Sequence, residues 1–460
     1  MMKRQRHLLI LCSVILIFSM ICAIPGCGGK PTYHISGRIT SGGSGLAGVT
    51  ATLSGSESRT FTTDSSGNYS FNDLEVGTFT VTPSLTGYLF LPRYRNVWLD
   101  GLDADGFDFS GMYVVAGSLA ATTQTVYLKS NGAVWAWGDN GSGQLGDGTT
   151  TDSAVPLHVA GLVGVTAVSA GSNHTVALKS DGTVWAWGNN NSGQLGDGTT
   201  SGRTAPVAVI GLADVKAIAA GSEDTFALKN DGTVRAWGNN SSGQLGDGTT
   251  TSRSTPVQTS GLSGVKAIAA GKDHAVALKI DGTVWAWGNN SNGQLGNGTT
   301  TSSSIPVQSS VLASVTGIAG GAKDTFALNF DGTVWAWGYN GIGQLGIGTT
   351  TDSATPVKVS GISGTAIIAA GDDHAVALNF DGTVWAWGNN SNGQLGNGTT
   401  TNSSVPIQSG GLSGVMGIAG GAKDTFALKS DGTVWAWGNN GHGQLGDGTM
   451  TDRWTPLQVQ

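Results

Sequence analysis

The 460-residue chain is 39 % hydrophobic and only 12 % charged, and its 30 Asp and Glu outnumber its 23 Lys and Arg for a net charge of −7. That balance excludes a surface built to neutralise phosphates, so nucleic acid is not an expected partner. Three cysteines, two of them (Cys12 and Cys22) inside an apolar leader, exclude a disulfide framework, and a chain this long buries enough core to need none.

Residues 1–26 read as a secretory signal: Lys3, Arg4 and Arg6 form a basic start, and positions 8–24 are almost wholly apolar. The closing Ile24-Pro25-Gly26-Cys27 resembles a bacterial lipobox, and that resemblance implies cleavage before Cys27 and acylation of Cys27. The alternatives are a plain signal peptide or a retained anchor. Acyl chains would tie the chain to a membrane at about 0.8 kcal/mol per buried methylene. Loss of the leader removes three positive charges and leaves 20 basic against 30 acidic residues, net −10. The expected location is a bacterial cell envelope, and Gly28 after the cysteine resembles sorting to the outer membrane rather than the inner.

Residues 27–112 alternate in the manner of strands, with turn signals such as Ser66-Gly67-Asn68, and read as a small all-β domain with its linker. ISGRIT, GLAGVTATLSG and TTDSSGNYSFNDLEVGTFTVTPSLTGY together resemble the carboxypeptidase regulatory-like, prealbumin-type β-sandwich, which implies a spacer without catalytic residues. Asp100, Asp103, Asp105 and Asp108 follow in DGLDADGFD. Their spacing lacks the downstream Glu of a calcium-binding EF-hand loop, so the stretch reads as a solvated acidic linker.

From residue 113 to 460 the chain repeats every 50 residues, seven times, with Trp135, Trp185, Arg235, Trp285, Trp335, Trp385 and Trp435 in register. One copy, 264–308, reads GVKAIAAGKDHAVALKIDGTVWAWGNNSNGQLGNGTTTSSSIPVQ. Its apolar runs of five or six residues are too short for helices, and PVQ makes a fourth run. Asp-Gly between the second and third runs signals a tight hairpin. Seven four-stranded units have a radial solution, a seven-bladed β-propeller, whose Ala- and Gly-rich first strands crowd toward the axis. In TVWAW the two indoles share one face and fill the wedge between blades. The inner strand of the first blade is expected near Val114, with no strand exchanged at ring closure. AGxxH, ALxxDGxVWxWGxNxxGQLGxG and the Pro-headed strand resemble the regulator of chromosome condensation repeat, which implies the same propeller.

Strand order puts the first-to-second and third-to-fourth connections on one face, hereafter the rim face. The GQLGxGTT core of the longer connection is near-identical in every copy and reads as structural. The shorter connection varies in charge, so the partner-binding candidates are Glu223, Asp224, Lys272, Asp273, Lys323, Asp324, Asp372, Asp373, Lys423 and Asp424, joined by Tyr339 and His442. Ile342, Ile347, Arg203, Arg253, Arg453 and Trp454 depart from the repeat on the same face. His174, His274 and His374 alternate with Asp224, Asp324 and Asp424 in a 100-residue superperiod, and each reads as a turn-stabilising hydrogen bonder rather than a metal ligand. No metal or cofactor is assigned. Arg235 either stacks on a neighbouring indole or loosens one seam.

Catalysis requires a unique cluster of acid, base or nucleophile, whereas the polar clusters here are copies of one turn. The founder's nucleotide-exchange role, implied by the resemblance, requires an intracellular GTPase and does not fit an exported acidic chain. The expectation is a non-enzymatic, monomeric binding scaffold for an envelope or extracellular protein. The alternatives are a glycan-binding or glycan-processing envelope protein, and a passive structural surface protein.

Overall fold

The computed structural model describes residues 30–460 except 42, 86, 114–118 and 311. The leader and Cys27 lie outside the described residues.

The N-terminal unit contains β1 (Tyr33–Ser41), β2 (Ser44–Gly45), β3 (Thr50–Gly55), β4 (Arg59–Thr62), β5 (Asn68–Leu74), β6 (Gly77–Ser84), β7 (Tyr88–Leu91), β8 (Arg95–Leu99) and β9 (Phe109–Tyr113). One sheet runs β2-β1-β9-β7, with β5 also pairing β1, and the other runs β4-β3-β6-β8. Alternation in β6 sends Phe79 and Val81 inward, where they meet Ile35, Ile39, Leu53 and Phe71 in one core. The acidic stretch is solvated as expected, since Asp100, Asp103, Asp105 and Asp108 are exposed, but it is tied to the sandwich rather than a linker. Asp103 and Asp108 accept the backbone N–H groups of His34 and Arg38 at 2.9 and 2.7 Å, and Asp105 bonds the side chains of Ser36 and His34. These carboxylates satisfy donors along β1 and lead the chain into β9, which pairs parallel to β1.

The remaining described strands form seven antiparallel four-stranded sheets in chain order, blades one to seven, at 119–158, 165–208, 215–258, 265–308, 315–358, 365–408 and 415–458. The inner strand of blade one is Leu119–Ala121, later than the expected position near Val114, which lies outside the described residues. First strands from every blade line one axial cavity of about 320 Å³. Crowding there explains the small residues. A Cβ on Gly320 or Gly420 would sit 2.7 or 2.6 Å from the backbone of Ala270 or Ala370 in the preceding blade.

The second Trp of each pair fills a seam. Trp187 is fully buried among Val126, Leu128, Val134 and Leu145 of the preceding blade, and Trp287 packs edge-on to Phe226. The first Trp is half-buried at the outer end. Arg235 makes no ring contact among the described residues; it pairs with Gln258 in the ladder. Five of the seven seams have a shared acceptor, as where Gln144 O receives Trp187 Nε1 at 2.9 Å and Thr175 Oγ1 at 2.8 Å, whereas Gln244 O and Gln344 O receive the indole alone because Ala275 and Ala375 replace the Thr. Ring closure repeats the device, with Gln444 O receiving Trp137 Nε1 and Thr125 Oγ1 at 2.8 and 2.9 Å, and among the described residues no strand is exchanged between blades one and seven.

Candidate functional site

The rim face is built from loops whose backbones are zipped together around the axis. Ser172, Ser222, Lys272 and Ala322 each donate N–H to the carbonyl of the equivalent residue in the next blade, and Ala422 donates to Thr122 across the closing seam. These residues and Asp372 line the cavity mouth. Satisfying their backbone groups with each other leaves the side chains free to face solvent.

In the first-to-second connections, acidic and lysine side chains are confined to blades three to seven. Lys272, Lys323, Asp372 and Lys423 are exposed, and Glu223, Asp273 and Asp373 are half-buried between them. Ser192 Oγ fixes Glu223 at 3.0 Å, and Lys323 Nζ sits 5.7 Å from the Tyr339 ring centroid. Asp372 faces solvent on one side only. The crowded mouth, then Asp373, push its carboxyl up to about 6 against the pull of Lys272 and Lys423. Crowding also raises Asp273, opposed by Lys272. The arc thus alternates sign within interaction distance.

Three of the expected rim residues are not on the rim. Asp224, Asp324 and Asp424 are at most 1 % exposed, tucked behind Gly221, Gly321 and Gly421, and no partner can reach them. At least one carboxyl oxygen of each lacks a hydrogen-bond partner. Burial, followed by Asp273, Asp373 and Asp372 respectively, raises all three well above the usual carboxylate range. Nor do the histidines serve their own turns. His174, His274 and His374 reach across the seam to Thr225, Thr325 and Thr425. The superperiod carried this signal, because every His is followed 51 residues on by Thr, whereas Asp224 and Asp324 are followed by Ala275 and Ala375.

Arg203, Arg253 and Arg453 are likewise committed internally, each to an Asp six residues earlier: Asp197, Asp247 and Asp447 at 2.8, 2.9 and 2.6 Å. Ile342 and Ile347 are half-buried, while Trp454 is 52 % exposed and covers Gly393. The loop core is structural as expected: Asn140 accepts Leu145 N–H and donates to the carbonyls of Thr149 and Thr151, a pattern recurring in later blades. His442 is exposed and pairs across the closing seam with Asp152 at 2.9 Å.

The opposite face receives the sandwich. Tyr94 stacks on Phe330 in the second-to-third turn of blade five, with ring centroids 5.1 Å apart, and Arg93 lies 5.3 Å from the same ring. Burial lowers the Arg93 guanidinium, and burial followed by Arg93 lowers Lys266.

The model of the RCC1-like domain matches residues 214–460, more than half of the chain. This chain belongs to the RCC1-like domain family. The regulator of chromosome condensation (RCC1) repeat matches 131–178 and 181–228, a second model of that repeat matches 165–194, and the carboxypeptidase regulatory-like domain matches 34–101. Among solved structures, human WBSCR16 is 25 % identical with a TM-score of 0.64, covering 71 % of this chain and 94 % of that one. Prp20p from Saccharomyces cerevisiae is 24 % identical at 0.65, covering 76 % and 87 %. Yeast RCC1 (Prp20) in complex with Kap60 is 23 % identical at 0.65, covering 74 % and 85 %. These likenesses establish the RCC1 propeller fold. No curated protein matches the chain.

Proposed function

We propose that this RCC1-like chain is a lipid-anchored, non-enzymatic scaffold of a bacterial cell envelope that takes a protein partner on the rim face of its propeller. The observation that carries the reading is the mixed-charge arc Glu223, Lys272, Asp273, Lys323, Asp372, Asp373 and Lys423 around an open mouth, while the opposite face is occupied by the sandwich. Alternating charge on a rigid disc selects a partner by complementarity and steers encounter more than it adds raw affinity. Protein binding by a propeller of this shape has a precedent in Prp20p, crystallised bound to Kap60 and studied for its binding to Gsp1p and histones. The basic, apolar leader ending in Cys27 supports the anchor.

Cross-linking pull-down from the native envelope tests the face, with the full chain beside an Asp273→Lys, Lys323→Glu, Asp373→Lys variant. The expected result is one species captured by the parent and lost by the variant; equal capture by both moves the site off the rim. Fatty-acid labelling tests the anchor, since Cys27→Ser should abolish incorporation, and continued labelling removes Cys27 from the reading.

A further inference from the structure

At the closing seam, Asp139 and Asp152 of blade one meet His442 of blade seven, with one ligand atom of each within 4.8 Å of the others. The equivalent three positions recur at every seam, so the propeller supplies its own controls. Blade by blade the sets are Ser142, Asn189 and Gly202; Ser192, Asn239 and Ser252; Ser242, Asn289 and Ser302; Asn292, Tyr339 and Asp352; Ile342, Asn389 and Asn402; Asn392, Asn439 and Asp452. None of those six holds more than one metal-ligating side chain. At two of them the contact is an amide on a carboxylate, Asn292 to Asp352 at 3.2 Å and Asn392 to Asp452 at 2.9 Å. Only at closure does the repeat amide or hydroxyl give way to an imidazole and a second carboxylate.

The ligand side chains are held by groups that leave them facing one another. Asp152 Oδ1 accepts Asn140 N–H at 2.8 Å, and Asp139 accepts Gly141 N–H and the Thr123 hydroxyl at 2.9 and 3.2 Å. The His442 backbone donates to Gln444 Oε1, and Nδ1 lies 2.9 Å from Asp152 Oδ2. Such outer bonds orient first ligands and fix their spacing. Two ligand atoms on one tetrahedral ion at about 2.1 Å lie roughly 3.4 Å apart, so small side-chain rotations admit a cation.

From this convergence we infer that Asp139, Asp152 and His442 bind one divalent cation of the zinc type, which clips blade seven to blade one. Imidazole with two carboxylates suits a borderline transition ion better than calcium, which takes six to eight oxygens. The location gives the ion its effect. His442 and Asp152 are 290 residues apart in sequence, and among the described residues no strand is shared across this seam, so one cross-link there closes a loop that spans the ring.

Thermal unfolding and calorimetric titration of the full chain, first stripped with chelator, test the inference with zinc, manganese and calcium. Zinc should bind once per chain and raise the midpoint by roughly 5 °C through preferential binding to the folded ring. Cobalt in its place should show the visible absorption of a nitrogen-and-oxygen site. Asp139→Asn with His442→Ser restores residues used at other seams; it should keep its chelated midpoint yet bind at least tenfold more weakly with no rise. If that variant loses stability in chelator, Asp139→Asn alone, which keeps the His442–Asp152 pair, carries the same expectation for metal. Absence of stoichiometric binding by the parent, or undiminished binding by the variants, overturns the inference and leaves a His–Asp hydrogen bond.

Discussion

His174 donates from Nε2 to Thr225 Oγ1 of the next blade, 3.0 Å away. Thr225 spends its only proton on Gln194 O at 2.9 Å, so the imidazole must supply the hydrogen, and Nδ1 is left bare and buried. His274 and His374 repeat the arrangement through Thr325 and Thr425, whose protons go to Gln294 O and Gln394 O. A second proton on any of these rings would place an uncompensated cation in the seam.

Acid sensitivity follows. Burial holds all three imidazoles down to about 4, below the 6.5 of the unfolded chain. Their contribution is therefore complete above about pH 6.5 and is lost as pH falls through about 4, at most roughly 3 kcal/mol per ring. The midpoint of thermal unfolding should fall over that window more steeply than in a variant carrying Asn at 174, 274 and 374. NMR titration of any of the three near 6.5 would refute the assignment.

The buried aspartates slope the other way. Their raised folded values mean that the stability they contribute is complete below about 3.8 and is lost as pH rises through the folded pKa. Asp224→His with Ala275→Thr transplants the His–Thr pair into a seam that lacks it. The double variant should gain about 1 kcal/mol beyond the sum of the two singles at pH 7.5, read by a thermal double-mutant cycle. Additive singles would mean that the pair is incidental.

Periodicity made the propeller legible because each blade is one unit copied seven times, so a Trp pair or an Asp-Gly turn states its environment at every recurrence. The rim was only half legible. Sequence order shows that residues 222 to 224 form a turn, but whether Glu223 or Asp224 faces out depends on which side chain folds behind Gly221, a tertiary fact. Contacts between blades were harder still. The His–Thr spacing of 51 was present in the superperiod, whereas Asp152 and His442 meet only because the ring closes. The acidic stretch misled for a related reason: Asp103 and Asp108 serve backbone donors on a strand nearly 70 residues earlier.

Near-identity of the loop core has a steric cause that substitution can expose. Gly146 sits at φ 73°, and a Cβ there would fall 2.6 Å from Trp187 Nε1, the indole that fills the next seam. Gly146→Ala combines left-handed strain with displacement of a buried ring, so it should cost about 2–4 kcal/mol. Gly148→Ala, at φ 88° with nothing within 4 Å, carries only the backbone term and should cost about 1 kcal/mol. Chemical denaturation of the two variants separates packing from conformational strain; equal losses would remove the clash as the cause.

Docking of the sandwich rests on a turn residue that the repeat does not require. Position 330 is Phe, while blades two and seven carry Ser180 and Ser430 in the same turn, so Phe330→Ser leaves the propeller with a residue it already tolerates. The change removes the Tyr94 stack and the Arg93 contact, each worth about 0.5–1.5 kcal/mol. Small-angle scattering should then show a larger radius of gyration with an unchanged propeller midpoint, and Arg93 should become easier to cleave with trypsin. An unaltered profile would mean that other contacts hold the two units together. If the undocked variant still captures the rim partner, the sandwich acts as a spacer and the two faces work independently.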